Sequence, residues 1–235
     1  MFKALLLLPF YALSAYALIS AVDSSSLVPT ATWQKALSQG FTKAIIRGYT
    51  EACSVGGKVD PNFVQSYKNA RAAGYTNIDT YWYPCTGSGN ACKSFSTQLA
   101  ELGATFDANA MKIGKIWVDI ESDTICDTWN YGASGNQAQA KALISAIKAS
   151  GYVYGIYSTP GVWSNIFGST SFVLDNSAPL WFATFNNVQT LTLGTPFGGQ
   201  VLCIHTCFLE WTSAVGHQYT DQSASGLFDL NVFAS

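Results

Sequence analysis

The segment Lys115-Ile-Trp-Val-Asp119-Ile-Glu121-Ser ends an apolar run with two carboxylic acids two residues apart. Side chains alternate along a β-strand, so Asp119 and Glu121 are expected on one face with Cα atoms about 6.5 Å apart. Neighbouring carboxyl groups repel, and burial adds a desolvation cost, so at least one is pushed to keep its proton. Glycoside hydrolysis needs such a pair: a protonated acid for the leaving oxygen and an anion beside an oxocarbenium-like centre. Alone, the D-x-E pair reads equally well as solvated acids at an exposed strand end. Asp23, in Ala-Val-Asp-Ser-Ser, and Asp229, in Phe-Asp-Leu-Asn-Val-Phe, alter that balance, because they fall on the first and last strand-like segments. In a closed barrel these strands are neighbours, and barrel enzymes keep their chemistry at the C-terminal strand ends.

Aromatic residues accompany the acids. Asp79, Tyr81 and Tyr83 alternate on one face of the third strand, while Trp129, Trp181 and Tyr219 lie in or near later strand ends. Rings of this kind stack on apolar sugar faces, although a single aromatic side chain is more often core than cleft. Tyr81 and Trp181 are the two assigned to the cleft.

The elements that would position these residues alternate between strand and helix patterns. Strands are expected at Ile19–Asp23, Ala44–Tyr49, Ile78–Tyr83, Ile116–Glu121, Val153–Ser158, Leu180–Phe185, Val215–Tyr219 and Leu227–Val232. Asp60-Pro61 reads as an N-cap and first-turn proline for a helix stopped at Gly74, and Ser134-Gly-Asn-Gln137 as a capping box for a helix ended by Gly151. Weaker helices are expected near Thr32–Ser38, Ser94–Leu102 and Gly161–Ile166, with little helical pattern between the last three strands. Eight strands, helix-linked and then loop-linked, suggest an α/β barrel with a truncated final part; an open doubly wound sheet is the alternative. Gly87-Ser-Gly89 lacks a following Gly-Lys-Ser/Thr and does not match G-x-G-x-x-G, so no nucleotide cofactor is expected.

Composition limits the alternatives. The 235 residues are 49% hydrophobic and 11% charged, which excludes a disordered chain. A net charge of −2 lacks the basic footprint of a nucleic-acid binder. The one long apolar run, Ala4 to Ala21, has Lys3 before it, Leu5–Leu8 within it and the A-x-A site Ala15-Tyr16-Ala17. It reads as a secretory signal peptide, residues 1–17, with Ile19-Ser20-Ala21 as a second cleavage site. Pro9 interrupts the run and no basic stop-transfer segment follows, which disfavours an uncleaved anchor. Residues 18–235 then form one domain: extracellular, monomeric and free of the membrane. Secretion makes the six cysteines disulfide candidates. Two histidines and no paired C-x-x-C motifs disfavour zinc, and no metal is assigned. Cys53, Cys85, Cys92 and Cys126 allow three pairings.

The order and spacing of several segments resemble the glycoside hydrolase family 25 lysozymes, especially their secreted, cysteine-containing eukaryotic branch. They are Val-Asp-Ser-Ser, Ile-Ile-Arg47, Tyr81-Trp-Tyr-Pro-Cys85, Ile-Trp-Val-Asp-Ile-Glu121, Gly-Ile-Tyr-Ser158, Pro-Leu-Trp-Phe-Ala183, His-Gln-Tyr-Thr220 and Phe-Asp-Leu-Asn231. The resemblance implies an irregular, TIM-like (β/α)5(β)3 barrel that cuts the β-1,4 bond between N-acetylmuramic acid and N-acetylglucosamine in peptidoglycan. It implies Glu121 as general acid and Asp119 as stabiliser of the reacting centre, acting directly or through the substrate's N-acetyl group. Asp23 and Asp229 would complete the acidic floor, with Tyr81, Tyr83, Trp181 and Gln218 binding substrate. On such a barrel the preferred disulfides are a local Cys85–Cys92 and a Cys53–Cys126 bridge between neighbouring loops.

One departure stands out. The family runs Pro-Phe-Gly-Gly into Trp-Thr, whereas here Gln200 to Glu210 intervene, carrying Cys203, His205 and Cys207. The insert, residues 200–210, reads as a splicing or gene-model artefact; as a real loop, Cys203–Cys207 would close it. Two competing functions remain. Family 18 chitinases carry D-x-x-D-x-D-x-E, but positions 114 and 117 are Gly and Trp, so only D-x-E survives. A non-catalytic wall-binding barrel would not require clustered acids. With no basic excess to draw it to anionic walls, activity is expected to be best at mildly acidic pH.

Overall fold

The computed structural model describes residues 17–198, 211 and 213–235. The proposed leader, apart from Ala17, and the whole insert, including the Cys203–Cys207 pair and His205, lie outside the described residues.

Eight strands close into a barrel: β1 (Leu18–Ser24), β2 (Lys43–Thr50), β4 (Asn77–Trp82), β5 (Ile116–Asp119), β6 (Tyr154–Ser158), β7 (Leu180–Ala183), β8 (Gly216–Thr220) and β9 (Asp229–Ala234). They hydrogen-bond in that order, and β1 pairs with both β2 and β9. All are parallel except β9, which runs antiparallel to β8 and β1. The chain therefore closes on itself at the bottom, where Ser235 N–H donates to Ala17 O at 3.0 Å. A two-residue strand, β3 (Lys58–Val59), is appended to β2 and was not expected from sequence.

Helices α1 (Thr30–Ser38), α2 (Phe63–Ala73), α3 (Phe95–Ala108), α4 (Gly132–Ser150) and α5 (Pro160–Phe167) follow the first five barrel strands. Among the described residues no helix follows β7 or β8, so the expected (β/α)5(β)3 barrel is the observed fold.

Several boundaries differ from expectation. Asp60 does not cap α2: its carboxylate accepts from Arg47 Nε at 2.6 Å and from Asn62 N at 2.7 Å, so the helix starts at Phe63. Nor does Ser134 cap α4. There Asn136 Oδ1 accepts from Tyr131 N, Asn136 Nδ2 donates to Ile166 O, and the helix begins earlier, at Gly132. Helix α3 continues past Leu102 to Ala108, and Gly103 is its close contact with Tyr152, where any Cβ would collide with the phenol. Ser94 and Thr159 supply the side-chain caps of α3 and α5.

Strand alternation divides the core in two. Outward residues such as Val22, Ile46, Ile78, Trp82, Val118 and Ile156 pack against the helices. Inward, Ala21, Ile45, Trp117, Trp181 and Phe233 fill the barrel, as side-chain layers do in this architecture. Gly155 and Gly216 are the small partners this filling requires, since a Cβ on either would strike the Trp117 or Phe233 ring. One step up each strand, the interior turns from apolar to polar.

Candidate active site

That upper rung carries Asp23 on β1, Tyr81 on β4, Asp119 on β5, Tyr157 on β6, Gln218 on β8 and Asp229 on β9. Together with Trp181, Phe185 and Glu121 they line one pocket of about 170 Å³. Larger grooves exist, such as one of about 360 Å³ between α1 and the β8–β9 connection, but none of its lining residues is acidic.

Strand β5 ends at Asp119, so Glu121 stands on the loop just beyond it; both acids nevertheless face the pocket. Asp23 and Asp119 are buried, and Glu121 and Asp229 are half-buried. Gln218 bridges the outer acids, its Nε2 donating to Asp23 Oδ1 at 3.0 Å and to Asp229 Oδ2 at 3.1 Å. Its Oε1 accepts from the Tyr157 hydroxyl at 2.7 Å. Asn231 Nδ2 gives Asp23 a second bond at 2.7 Å, while its own Oδ1 accepts from Trp181 Nε1 at 2.9 Å. Asp119 lacks this support, since its Oδ1 is buried without a hydrogen-bond partner.

Burial and crowding shift all four acids the same way. Asp23 is raised well above the carboxylate range by burial and then by Asp229. Asp119 is raised by burial and by Glu121, with Arg47 opposing. Glu121 is raised by burial against the moderating Tyr157 hydroxyl, and Asp229 is pushed up to about 6 by burial and Asp221. All four are thus inclined toward the protonated form, which is what a carboxyl group needs to act as an acid catalyst.

The other sequence candidates fall differently. Trp181 lies on the pocket floor but is only 2% exposed and packs on Tyr157 with ring centroids 4.4 Å apart, so it supports the pocket more than it presents a face. Tyr83 stands beside the pocket, not among its lining residues. Strand β4 ends at Trp82, and Tyr83 N donates to Tyr49 O beyond a register shift around Gly48, so the alternation with Tyr81 is lost. Asp79 faces the barrel bottom, paired with Lys43 at 2.5 Å and accepting from Trp117 Nε1. Trp129 is buried against Phe167, and Tyr219 bonds Gln189; neither lines the pocket. Tyr157 and Phe185 were assigned no role from sequence. Tyr157 shares the inward parity of β6 with Gly155, a signal that alternation could have supplied.

One wall of the cleft is braced. Disulfides join Cys53 to Cys126, with Cα atoms 5.6 Å apart, and Cys85 to Cys92 at 5.5 Å, as preferred from sequence. Asn90 Nδ2 donates to Cys126 O, Gly87 N to the Tyr131 hydroxyl and Trp129 N to Thr86 Oγ1, tying the loops after β4 and β5 together. Carboxylates of Glu51 and Asp123 lie within 4.8 Å of Cys126 Sγ, but that sulfur is spent in the disulfide, and two carboxylates alone do not make a metal site.

The sequence profile of the lysozyme-like protein 1 family matches residues 14–219. The chain is 34% identical over 218 residues to a probable GH family 25 lysozyme 4 of Dictyostelium discoideum, covering 92% of this chain and 91% of that one. The chain belongs to the glycoside hydrolase family 25 lysozymes. Lysozyme-like protein 5 of Caenorhabditis elegans is 32% identical over 86% of this chain and 84% of its own. The solved family 25 lysozyme from Aspergillus fumigatus shares the fold, with a TM-score of 0.65 at 18% identity, covering 93% of this chain and 95% of that one. As a family 25 member the protein is a glycoside hydrolase, and the acid-lined pocket at the C-terminal strand ends is its candidate active site.

Proposed function

We propose that this glycosidase is a secreted N-acetylmuramidase that hydrolyses the β-1,4 bond between N-acetylmuramic acid and N-acetylglucosamine in bacterial peptidoglycan. The observation that carries the reading is the set of four acids, from β1, the end of β5, the loop after it and β9, around one pocket, all inclined to hold protons. Glu121, half-buried and reaching in from the loop, is the general acid that protonates the leaving oxygen. Asp119, its buried oxygen unpartnered, stabilises the charge that develops at the sugar or orients the N-acetyl group toward it. Asp23, Asp229 and Gln218 form one hydrogen-bonded frame that fixes the floor. Tyr81, Tyr157 and the exposed Phe185 ring contact the sugar.

Secretion is supported by the two disulfides, and the pairing of β1 bears on where the leader is cut. Cleavage after Ala17 leaves β1 whole, whereas cleavage after Ala21 would remove Leu18–Ala21, which pair with β9. No described helix is long and apolar enough to cross a membrane.

The deciding experiment compares turbidity loss of a bacterial wall suspension with release of oligomers from chitin. Wall clearing with new muramic acid reducing ends is expected. Chitin cleavage without wall clearing would reject the reading, and so would inactivity on both.

A further inference from the structure

We propose that His217 is a positioning residue for the glycan: as an imidazolium it clasps both ends of the 184–190 segment, which carries Phe185 onto the rim of the pocket. The inference rests on the muramidase reading, since it takes the Phe185 ring as a sugar contact.

Residues 184–189 are all exposed, so no buried side chain of their own fixes this stretch between β7 and β8. Phe185, which lines the pocket, is its second residue. The stretch depends on hydrogen bonds, and among the described residues those that tie it to the barrel all go to β8. Thr184 N donates to Gln218 O at 3.1 Å, Asn187 N to Tyr219 O at 3.0 Å and Gln189 Nε2 to the Tyr219 hydroxyl at 3.2 Å. His217 closes the two ends: its Nε2 lies 3.0 Å from Thr184 O and its Nδ1 2.7 Å from Thr190 O. Strand alternation thus gives β8 two tasks. Gln218 points inward and holds Asp23 and Asp229, while His217 points outward and holds the rim.

Both His217 contacts end on carbonyl oxygens, which only accept. A neutral imidazole has one N–H, so one contact would set a nitrogen lone pair against a carbonyl lone pair at hydrogen-bond distance; the imidazolium donates to both. A second feature suits a cation at this buried position: the ring lies flat on Phe182, with centroids 4.2 Å and planes 5° apart. The surroundings add no carboxylate or amine among the described residues. Strand β7 and residues 184–193 carry no titratable group, β9 carries only Asp229, which is turned to Gln218, and β8 adds only the Tyr219 phenol, its ring centroid 6.4 Å away. The charge is therefore met by two carbonyl dipoles and the Phe182 face. Holding the rim before substrate arrives lowers the ordering cost of binding, so the clasp acts on KM more than on kcat.

The first arm of the test reads the ring itself. Histidine ¹⁵N NMR at pH 5, with His205→Gln assigning the two signals, should show both nitrogens of His217 protonated and both protons in slow exchange with water. A ring with a single proton, or ring protons in fast exchange, overturns the proposal.

The second arm reads KM and kcat on soluble glycan fragments at pH 5, for His217→Phe in the wild-type and Phe185→Ala backgrounds, with folding checked by circular dichroism. His217→Phe keeps an aromatic ring against Phe182 and removes both donors. It should raise KM by about 3- to 10-fold with kcat changed by less than about twofold, and add less than about twofold to KM once Phe185 is gone. His217→Gln, whose amide keeps a donor, is run in the same two backgrounds and should show a smaller rise; it carries the measurement where His217→Phe does not fold. An unchanged KM, a fall in kcat as large as the rise in KM, or an equal rise in both backgrounds overturns the proposal. A wild-type protein inactive on every glycan would instead reject the muramidase reading, and the nitrogen signals still decide the clasp.

Discussion

Glu121 is the residue on which turnover depends. Glu121→Gln keeps the shape and the hydrogen-bonding potential of the side chain but not its proton, so wall clearing should fall by about 10²–10⁴-fold with the melting temperature unchanged or raised. Its pKa, raised chiefly by burial, sets the alkaline side of the rate profile: activity should decline from mildly acidic pH toward pH 8 as the acid ionises. Phe185 is 56% exposed on the pocket rim, and Phe185→Ala should raise KM by about 3- to 10-fold with a smaller effect on kcat, measured on soluble glycan fragments. The acids were legible because carboxylates at strand ends are costly and so conspicuous. Tyr157 was not, because a tyrosine in an apolar strand reads as core until the parity of its neighbours is known.

At the scale of elements, the strands were legible from short apolar runs and the helices from their stop signals. Starts were less legible, since Asp60 and Ser134 carry capping side chains that tertiary contacts put to other use or leave unused. The two disulfides close loops of very different length, 73 and 7 residues, so the chain-entropy picture predicts unequal costs of removal. Replacing Cys53 and Cys126 by alanine should cost about 4 kcal/mol, and replacing Cys85 and Cys92 about 2 kcal/mol, in denaturant unfolding. The insert makes a separate prediction. Its flanks meet in a bridge where Trp211 N donates to Phe197 O at 3.2 Å, and Gly198 has φ +80°. Deleting 200–210 would leave Gly198-Gly199 as a two-residue hairpin turn, a connection that glycine pairs favour. The deletion variant should fold, melt within a few degrees of the full chain and clear walls at a similar rate. A transcript lacking these codons would give the same answer from the gene.

For the molecule as a whole, the cluster of proton-holding acids makes stability pH-dependent. A carboxyl raised on folding stabilises the native state fully below its unfolded pKa, and that contribution is lost as pH rises through the folded value. For Asp229 the window runs from 3.8 to about 6, and Asp23, Asp119 and Glu121 act in the same direction. Asp175 is opposite: Lys148, Ser177 and Tyr154 lower it to about 2 against burial, so its contribution disappears only below the ordinary aspartate range. The melting temperature should therefore be higher near pH 4.5 than at pH 7, by several degrees at about 2–4 °C per kcal/mol, and Asp229→Asn should flatten the slope. A melting temperature that rises from pH 4.5 to pH 7 would contradict this.

The antiparallel return of β9 along β1 sets Leu18 opposite Ala234, at the end of the barrel opposite the pocket. An affinity handle or surface anchor fused to either end would thus leave from the same pole. The protein could be immobilised on a bead by its tail with its working mouth turned outward to particles as large as a bacterium.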